Sequence, residues 1–386
     1  MNKKIILTIL SSKVLILLII FLSYHFLPFN KLAFQFNRHY LRHQKVSLAT
    51  AYSTWDAQHY LFVATKGYVL GSDSNAFFPL YPFLIAIVNY LLNNPVIAGL
   101  IVSNVISFLG LYVFYLFCLK VQKSEEIAEK SLVYLLVFPT SFFFCLIYSE
   151  ALFFTLVICF FYFAYQKKYA LASICAFLLP LTRGIGVTVA IPGFLIYLFL
   201  SHKKPIGKNL SKLLHSYLVF DRSLIFFVAP LAGFLAYFIL MQHVTGNFME
   251  GINYESRFFD SKSLSNIFHP WVTLGAFFDP HLALHNFTHS AIDRLLFLIF
   301  ICLLPWVYKK VDRVLFCYYF LVELVPLMGS FMSYTRYFLM GFPFFMALAV
   351  CFMQPKRKIW ETPYIFAAYA LQIFFLVMYA LNYWVA

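Results

Sequence analysis

Apolar residues run in long unbroken stretches along this chain, and polar residues are confined to the intervals between them. Runs of spanning length fall near 5–27, 96–118, 131–148, 150–165, 169–182, 185–200, 223–242, 291–307, 314–330, 337–353 and 363–384. A helix needs about 20 apolar residues to cross a bilayer, so the pattern predicts about eleven transmembrane helices, several of them short. The run 77–92 opens with FFPLYP and ends in Asn93-Asn94-Pro95. Short and bounded by prolines, it reads as a helix lying at the membrane surface or dipping partway in. The expected fold class is all-α, a polytopic transmembrane helical bundle forming one domain over residues 1–386. Interfacial helices belong to a first extracytoplasmic loop over 28–95, and a second large loop covers 243–290.

Composition agrees. Of 386 residues, 62% are hydrophobic and 11% charged, where a soluble domain is nearer a quarter charged. The formal net charge is +14. In a membrane protein that excess first sorts loops to the cytoplasmic side and then suggests anionic membrane lipids as partners. No basic domain stands outside the apolar segments, which argues against nucleic acid. The seven cysteines all lie in apolar segments without a CxxC pair, and read as small buried hydrophobes. The first residues have the charge and apolarity of a signal sequence but no small-x-small cleavage site, so they read as an uncleaved first span.

Charge also fixes the expected sidedness. With a cytoplasmic N-terminus and 77–92 not crossing, 18 Lys and Arg fall on the cytoplasmic side and 10 on the other, with Lys13 inside the first span. If 77–92 crossed, the basic loops from Lys120 onward would face out, against the positive-inside rule. This topology gathers Asp56, Glu150, Arg183, the 243–290 loop and Arg336 on the outer side. The segment 31–45 is basic there, with Lys31, Arg38, Arg42 and Lys45 among apolar residues. It reads as an amphipathic interfacial helix that docks on headgroups or helps hold an anionic lipid-linked substrate.

The candidate chemistry is concentrated in 53–82. If WDAQHY is helical, Asp56, His59 and Tyr60 share a face. A carboxylate beside a hydrophobic wall is a candidate general base. The plainer alternative is an interfacial helix with Trp55 and Tyr60 at headgroup level and Asp56 capping. Asp73 sits in a Gly-Ser-Asp-Ser-Asn turn that explains it without chemistry. Glu150 opens a span, where either the helix dipole or a substrate accounts for it. His281, His285 and His289 follow Asp279-Pro280 at intervals of four. One helical face would present all three to a divalent metal, or simply be polar. Glu323 is an intramembrane acid, functional or paired with a neighbouring helix. The chain carries no P-loop, GxGxxG, HExxH or GxSxG motif.

The pieces Trp55-Asp56-Ala57-Gln58-His59-Tyr60, Gly67-Tyr68, Phe77-Phe78-Pro79-Leu80-Tyr81-Pro82, Phe138-Pro139 with Tyr148-Ser149-Glu150, Thr182-Arg183-Gly184, and Arg336-Tyr337 with Phe342-Pro343 carry a resemblance. The chain resembles the PIG-V-like mannosyltransferases of the GT-C superfamily of membrane glycosyltransferases. The resemblance implies a GT-C type bundle, a polyprenyl-phosphate sugar donor, by family habit dolichyl-phosphate mannose, and a catalytic Asp in the first outer loop, which maps onto Asp56. It implies a multi-pass protein of the plasma membrane in a prokaryote or the endoplasmic reticulum in a eukaryote, its site extracytoplasmic or lumenal.

An anionic leaving group needs little acid help, so one base and nearby cations suffice for a single inverting displacement. Asp56 is then the base, and Arg336, Arg183 and Lys66, in that order, are candidates for the donor phosphate. His59 orients Asp56, Trp55 and Tyr81 stack on a sugar, and Tyr60, Glu150 and Tyr337 bind or orient substrate. The acceptor is a glycan or lipid. The residues name no particular cofactor, and a divalent metal is compatible with them. The rival reading is a transporter or flippase of lipid-linked substrates, which should show paired halves; neither WDAQHY nor FFPLYP recurs in the second half. A membrane acyl or phosphoryl transferase would want a conspicuous His or metal-carboxylate set inside the membrane.

Overall fold

A computed structural model describes residues 2–37, 45–201, 225–258, 266, 268–285, 289–327 and 330–385. Among these, helices supply the regular structure, and the β contact is a single isolated bridge between Ala283 and Ser290. Among the described residues, five helices are long and apolar enough to cross a membrane: Lys3–Phe26, Pro95–Gln122, Val228–Thr245, Ala291–Val311 and Lys358–Ala380. Tyr334–Met340 and Pro343–Phe352 form a sixth candidate, bent by 83° at its break. Shorter apolar helices are Leu80–Leu92, Glu150–Tyr165, Tyr169–Thr182 and Gly184–Ile196. Expected positions at 38–44, including Arg38 and Arg42, and the basic loop residues from Lys203 to Arg222 lie outside the described residues.

The long helices form the outer layer. Lys3–Phe26 is apolar nearly all round and exposes Leu7, Val14 and Leu18, as a lipid-facing helix does. Its one buried charge, Lys13, donates to Ser107 Oγ at 2.6 Å and Asn104 Oδ1 at 3.3 Å, tying the first helix to Pro95–Gln122. The core belongs to Glu150–Tyr165, most of whose side chains are buried. Gly110 lets Pro95–Gln122 close on it: a Cβ there would lie 2.1 Å from Thr155 Oγ1.

The apolar run 131–148 is not one helix. Glu125–Leu136 stops before Pro139, since the residue before a proline is pushed away from the helical region. A buried 3-10 turn, Ser141–Phe144, follows. Irregular backbone in a bundle must find partners inside protein, and side chains supply them. Gln372 Nε2 donates to Leu136 O and Phe138 O, Ser107 Oγ to Phe144 O, and Asn104 Nδ2 to Cys145 O. The consequence is that the N-terminus of Glu150–Tyr165 opens inside the molecule and not at its rim.

Leu80–Leu92 turns back tightly into Pro95–Gln122 through Asn93 in the left-handed region. Its 13 residues rise about 20 Å, short of the roughly 30 Å hydrocarbon core. Tyr81, at its start, meets Ser103 Oγ at 2.5 Å. Ser103 lies eight residues into the next helix, about 12 Å along its axis, so FFPLYP reaches well below the rim.

The ends of the bundle differ in character. At one end Asn2 Nδ2 donates to Glu125, Lys4 pairs with Glu129 at 2.5 Å, Lys130 pairs with Glu361 at 3.0 Å, and Tyr165 OH donates to Asp312. The basic positions 3–4, 120–130, 309–313 and 356–358 collect there. The opposite end holds Asp56, Glu150, Arg183 and Arg336.

Candidate active site

Asp56 occupies the N-cap position of the helix Ala57–Lys66, but its side chain caps nothing. Its backbone does the capping: the Asp56 carbonyl accepts from His59 N at 3.0 Å and Tyr60 N at 3.3 Å. The carboxylate is thereby released outward, and Oδ2 lies 2.6 Å from Arg336 Nη1. The preceding residue, Trp55, has φ of 55°, a left-handed conformation that costs a non-glycine residue about 1–3 kcal/mol. The surroundings hold it there. Trp55 Nε1 donates to Tyr383 O at 3.2 Å, Thr54 Oγ1 to Asn382 Oδ1, and the hydroxyls of Tyr148 and Tyr379 to Thr54 O. The Asp56 turn thus leans on the C-terminal segment, more than 300 residues away in sequence.

Glu150 is the first residue of its helix and is fully buried. Its Oε1 accepts from Arg336 Nε at 2.5 Å and from Arg183 Nη1 at 2.6 Å. Its Oε2 has no hydrogen-bond partner. Arg183 ends the helix Tyr169–Thr182 in extended backbone, which turns its side chain back toward Glu150. Arg336 lies in the short helix Tyr334–Tyr337, beside the 83° bend. Its guanidinium sits 4.7 Å from the Tyr148 ring, 5.2 Å from Phe143 and 5.9 Å from Tyr337, while Arg183 lies 5.0 Å from Tyr337. Aromatic faces attract a guanidinium and hold its plane.

The result is a chain of alternating charge, Asp56–Arg336–Glu150–Arg183, in which every member has an opposite neighbour. The Asp56 side chain is 33% exposed and that of Glu150 is 1% exposed. One carboxylate can therefore meet a molecule from outside, and the other can only hold the arginines. Ser149 extends the network: its Oγ accepts from Tyr60 OH at 2.7 Å and from Arg183 Nη1 at 3.4 Å. Burial pushes the Tyr60 phenol up, keeping it a donor to Ser149.

The remaining expected site residues divide. Tyr337 contributes the ring between both arginines. Tyr81 packs edge-on against Tyr60 at 4.9 Å, one layer behind the charges. His59 is buried, with Nδ1 3.0 Å from Ser74 Oγ and its ring stacked on Phe77, contacts that brace the loop beside Asp56. Lys66 is exposed at the far end of its helix from Asp56 and does not join the arginines. Asp73 lies in the turn Asp73–Ala76, as its sequence suggests.

The three histidines do not share a helical face, because the chain over 279–285 is not helical. His281 and His289 approach Asp279, while His285 turns inward to Ser290 Oγ and Val385 O. The His281 backbone and ring hydrogen bonds hold Asp279 below the usual carboxylate range. Among the described residues, no group of three or more His, Cys, Asp or Glu converges on a metal site. Glu323 is buried against Gly341, outside the charge chain.

Sequence reasoning missed Asp293. Its Oδ1 accepts from Thr335 N at 2.7 Å and from Thr335 Oγ1, beside Arg336. The visible signal was Ser290-Ala-Ile-Asp293 before an apolar run, a capping-box pattern whose acid would ordinarily serve its own helix.

The family model described as Mannosyltransferase (PIG-V) matches residues 2–187, nearly half of the chain, an interval that holds Asp56, Glu150 and Arg183. No curated protein matches the chain. Among solved structures, the oligosaccharyltransferase of Archaeoglobus fulgidus in its apo form aligns with a TM-score of 0.48 at 14% identity, covering 98% of this chain and 56% of its own. The oligosaccharyltransferase AglB from the same organism, in complex with an inhibitory peptide and a dolichol-phosphate, aligns with a TM-score of 0.47 at 13% identity, covering 97% and 56%. The chain spans little more than half the length of these structures.

Proposed function

We propose that the chain is a membrane glycosyltransferase of the PIG-V mannosyltransferase family, whose model matches residues 2–187, with Asp56 as its general base and a polyprenyl-phosphate sugar as its donor. The observation that carries the proposal is the Asp56–Arg336 pair at the mouth of a buried Glu150–Arg183 pair. The acceptor is a glycan or lipid hydroxyl, and the family favours mannose as the transferred sugar.

The step is a single displacement with inversion. The acceptor oxygen attacks the sugar C1 as the bond from C1 to the phosphate oxygen breaks. The bonding pair leaves with the phosphate, and Asp56 takes the acceptor proton. A phosphodiester donor carries one negative charge, and the leaving monoester carries two. Asp56 loses one as it is protonated, so total charge in the site stays constant. What changes is its position: negative charge moves from Asp56 to the phosphate. Arg336 reaches toward Asp56 and is backed by Glu150, so it can follow that movement with little reorganisation. Preorganised cations aimed where charge develops are a large source of catalysis.

The basic residues gathered at the other end of the bundle support an extracytoplasmic site under the positive-inside rule. Purified protein in detergent tests the activity. Given a polyprenyl-phosphate mannose and an acceptor alcohol, it should release polyprenyl phosphate with formation of a glycoside of inverted anomeric configuration. Uptake of lipid-linked sugar into sealed vesicles with no covalent product would overturn the reading.

A further inference from the structure

Arg336 is gripped by its side chain, but its backbone is also held from a distance. Thr335 and Asp293 are both 0% exposed. The Thr335 N–H donates to Asp293 Oδ1 at 2.7 Å, and the Thr335 hydroxyl donates to the same oxygen. Thr140 Oγ1 donates to Thr335 O at 2.9 Å. The peptide that leads into Arg336 is therefore fixed at its carbonyl by Thr140, and the N–H one residue earlier is fixed by Asp293. Ser333 enters this turn with φ of 60°, and Arg336 N donates back to Ser333 O at 3.1 Å.

Asp293 is itself placed by the start of its helix, where Ser290 Oγ caps the Asp293 N–H at 3.2 Å. A capping-box acid would reach back to the cap; this one crosses to another segment. Its Oδ2 makes no hydrogen bond and lies 4.0 Å from His285 Nδ1. Asp293 touches none of the four charges of the site. Its hydrogen bonds go to the residue that precedes the guanidinium bridging Asp56 and Glu150.

We propose that Asp293 is a positioning residue for Arg336: through Thr335 it sets where the guanidinium meets the donor phosphate. The inference rests on reading Arg336 as the phosphate-binding cation. Asp293 contacts no substrate. Its contribution lies in donor affinity and not in the proton transfer.

The test uses full-length protein in detergent and the variants Asp293→Ala, Asp293→Asn and Thr335→Val. Asparagine keeps an acceptor oxygen where Thr335 needs it, and alanine removes it. Asp293→Ala should raise the donor KM about tenfold or more, leave the acceptor KM unchanged, and weaken binding of farnesyl phosphate by a similar factor. Asp293→Asn should stay within about threefold of the parent. Thr335→Val loses only the hydroxyl half of the clamp, and should show a smaller loss of the same kind even if Asp293→Ala does not fold. Equal rises in both KM values, or an Asn variant as impaired as Ala, would overturn the proposal. If the parent protein itself does not bind farnesyl phosphate, the proposed donor is wrong. Hydrogen exchange over 333–337 then judges the clamp alone: faster exchange in Asp293→Ala or Thr335→Val supports it, and unchanged exchange overturns it.

Discussion

Asp56 and Glu150 are bridged by a single guanidinium, with Arg336 Nη1 2.6 Å from Asp56 Oδ2 and Arg336 Nε 2.5 Å from Glu150 Oε1. The two carboxylates are 94 positions apart in sequence and differ sharply in exposure. In the proposed mechanism a donor phosphate arriving from outside would compete for Arg336 with Asp56, because the Glu150 side chain beneath is 1% exposed. Donor binding would then loosen the Asp56 pair, leave the Glu150 pair in place, and free the exposed carboxylate for the acceptor proton.

Glu150 should behave as a structural counter-charge. Removing one partner from a buried ion pair costs about 3–5 kcal/mol, because the other charge is left uncompensated. Glu150→Gln leaves Arg183 without a carboxylate and Arg336 with Asp56 alone, and should lower the thermal midpoint of the detergent-solubilised protein well below that of Asp56→Asn. Equal midpoints for the two variants would contradict this division of labour.

The arginines should matter to the donor more than to the acceptor. Charge-assisted hydrogen bonds contribute about 1.5–3 kcal/mol each, so Arg336→Ala and Arg183→Ala should each raise the donor KM by tenfold or more with little change in the acceptor KM. Arg336→Lys should not restore the parent value. Arg336 spans two carboxylates with different nitrogens while lying against aromatic faces, and a single ammonium cannot do both. Steady-state titration of donor at fixed acceptor measures this. A lysine variant with parental donor dependence would show that charge alone suffices.

The proposed sidedness rests on the grouping of the basic loops at one end of the bundle. In a chain freed of its seven native cysteines, Glu125→Cys should react with a membrane-impermeant thiol reagent only from the cytoplasmic side, and Ser72→Cys only from outside. Reaction at position 125 in intact cells would invert the proposed orientation.

Much of this was legible in the sequence, for identifiable reasons. Long apolar runs have few structural solutions, so the bundle followed from hydropathy. Loop charge predicted that Asp56, Glu150, Arg183 and Arg336 share a face, and in the structure they are in contact. Charge counting reports sides but not partners, so it could not tell that Glu150 holds both arginines at once. Lys66 stands apart from the arginines because the helix Ala57–Lys66 carries it away from Asp56, which proximity in sequence does not reveal. The histidine series was misread because a spacing of four implies a shared face only if the segment is helical, and Asp279-Pro280 opens a non-helical one. Asp293 looked like an acid serving its own helix, and only tertiary packing brings Thr335 to it.

The central claim is that Asp56 takes the acceptor proton. Single-turnover transfer from polyprenyl-phosphate mannose by Asp56→Asn, compared with the parent under saturating donor, tests it most directly. General-base help is typically worth about 10²–10⁴ in rate, so the variant should fold, bind farnesyl phosphate as the parent does, and transfer sugar slower by that factor or more. A folded, donor-binding Asp56→Asn protein that transfers sugar at nearly the parental rate would contradict the account.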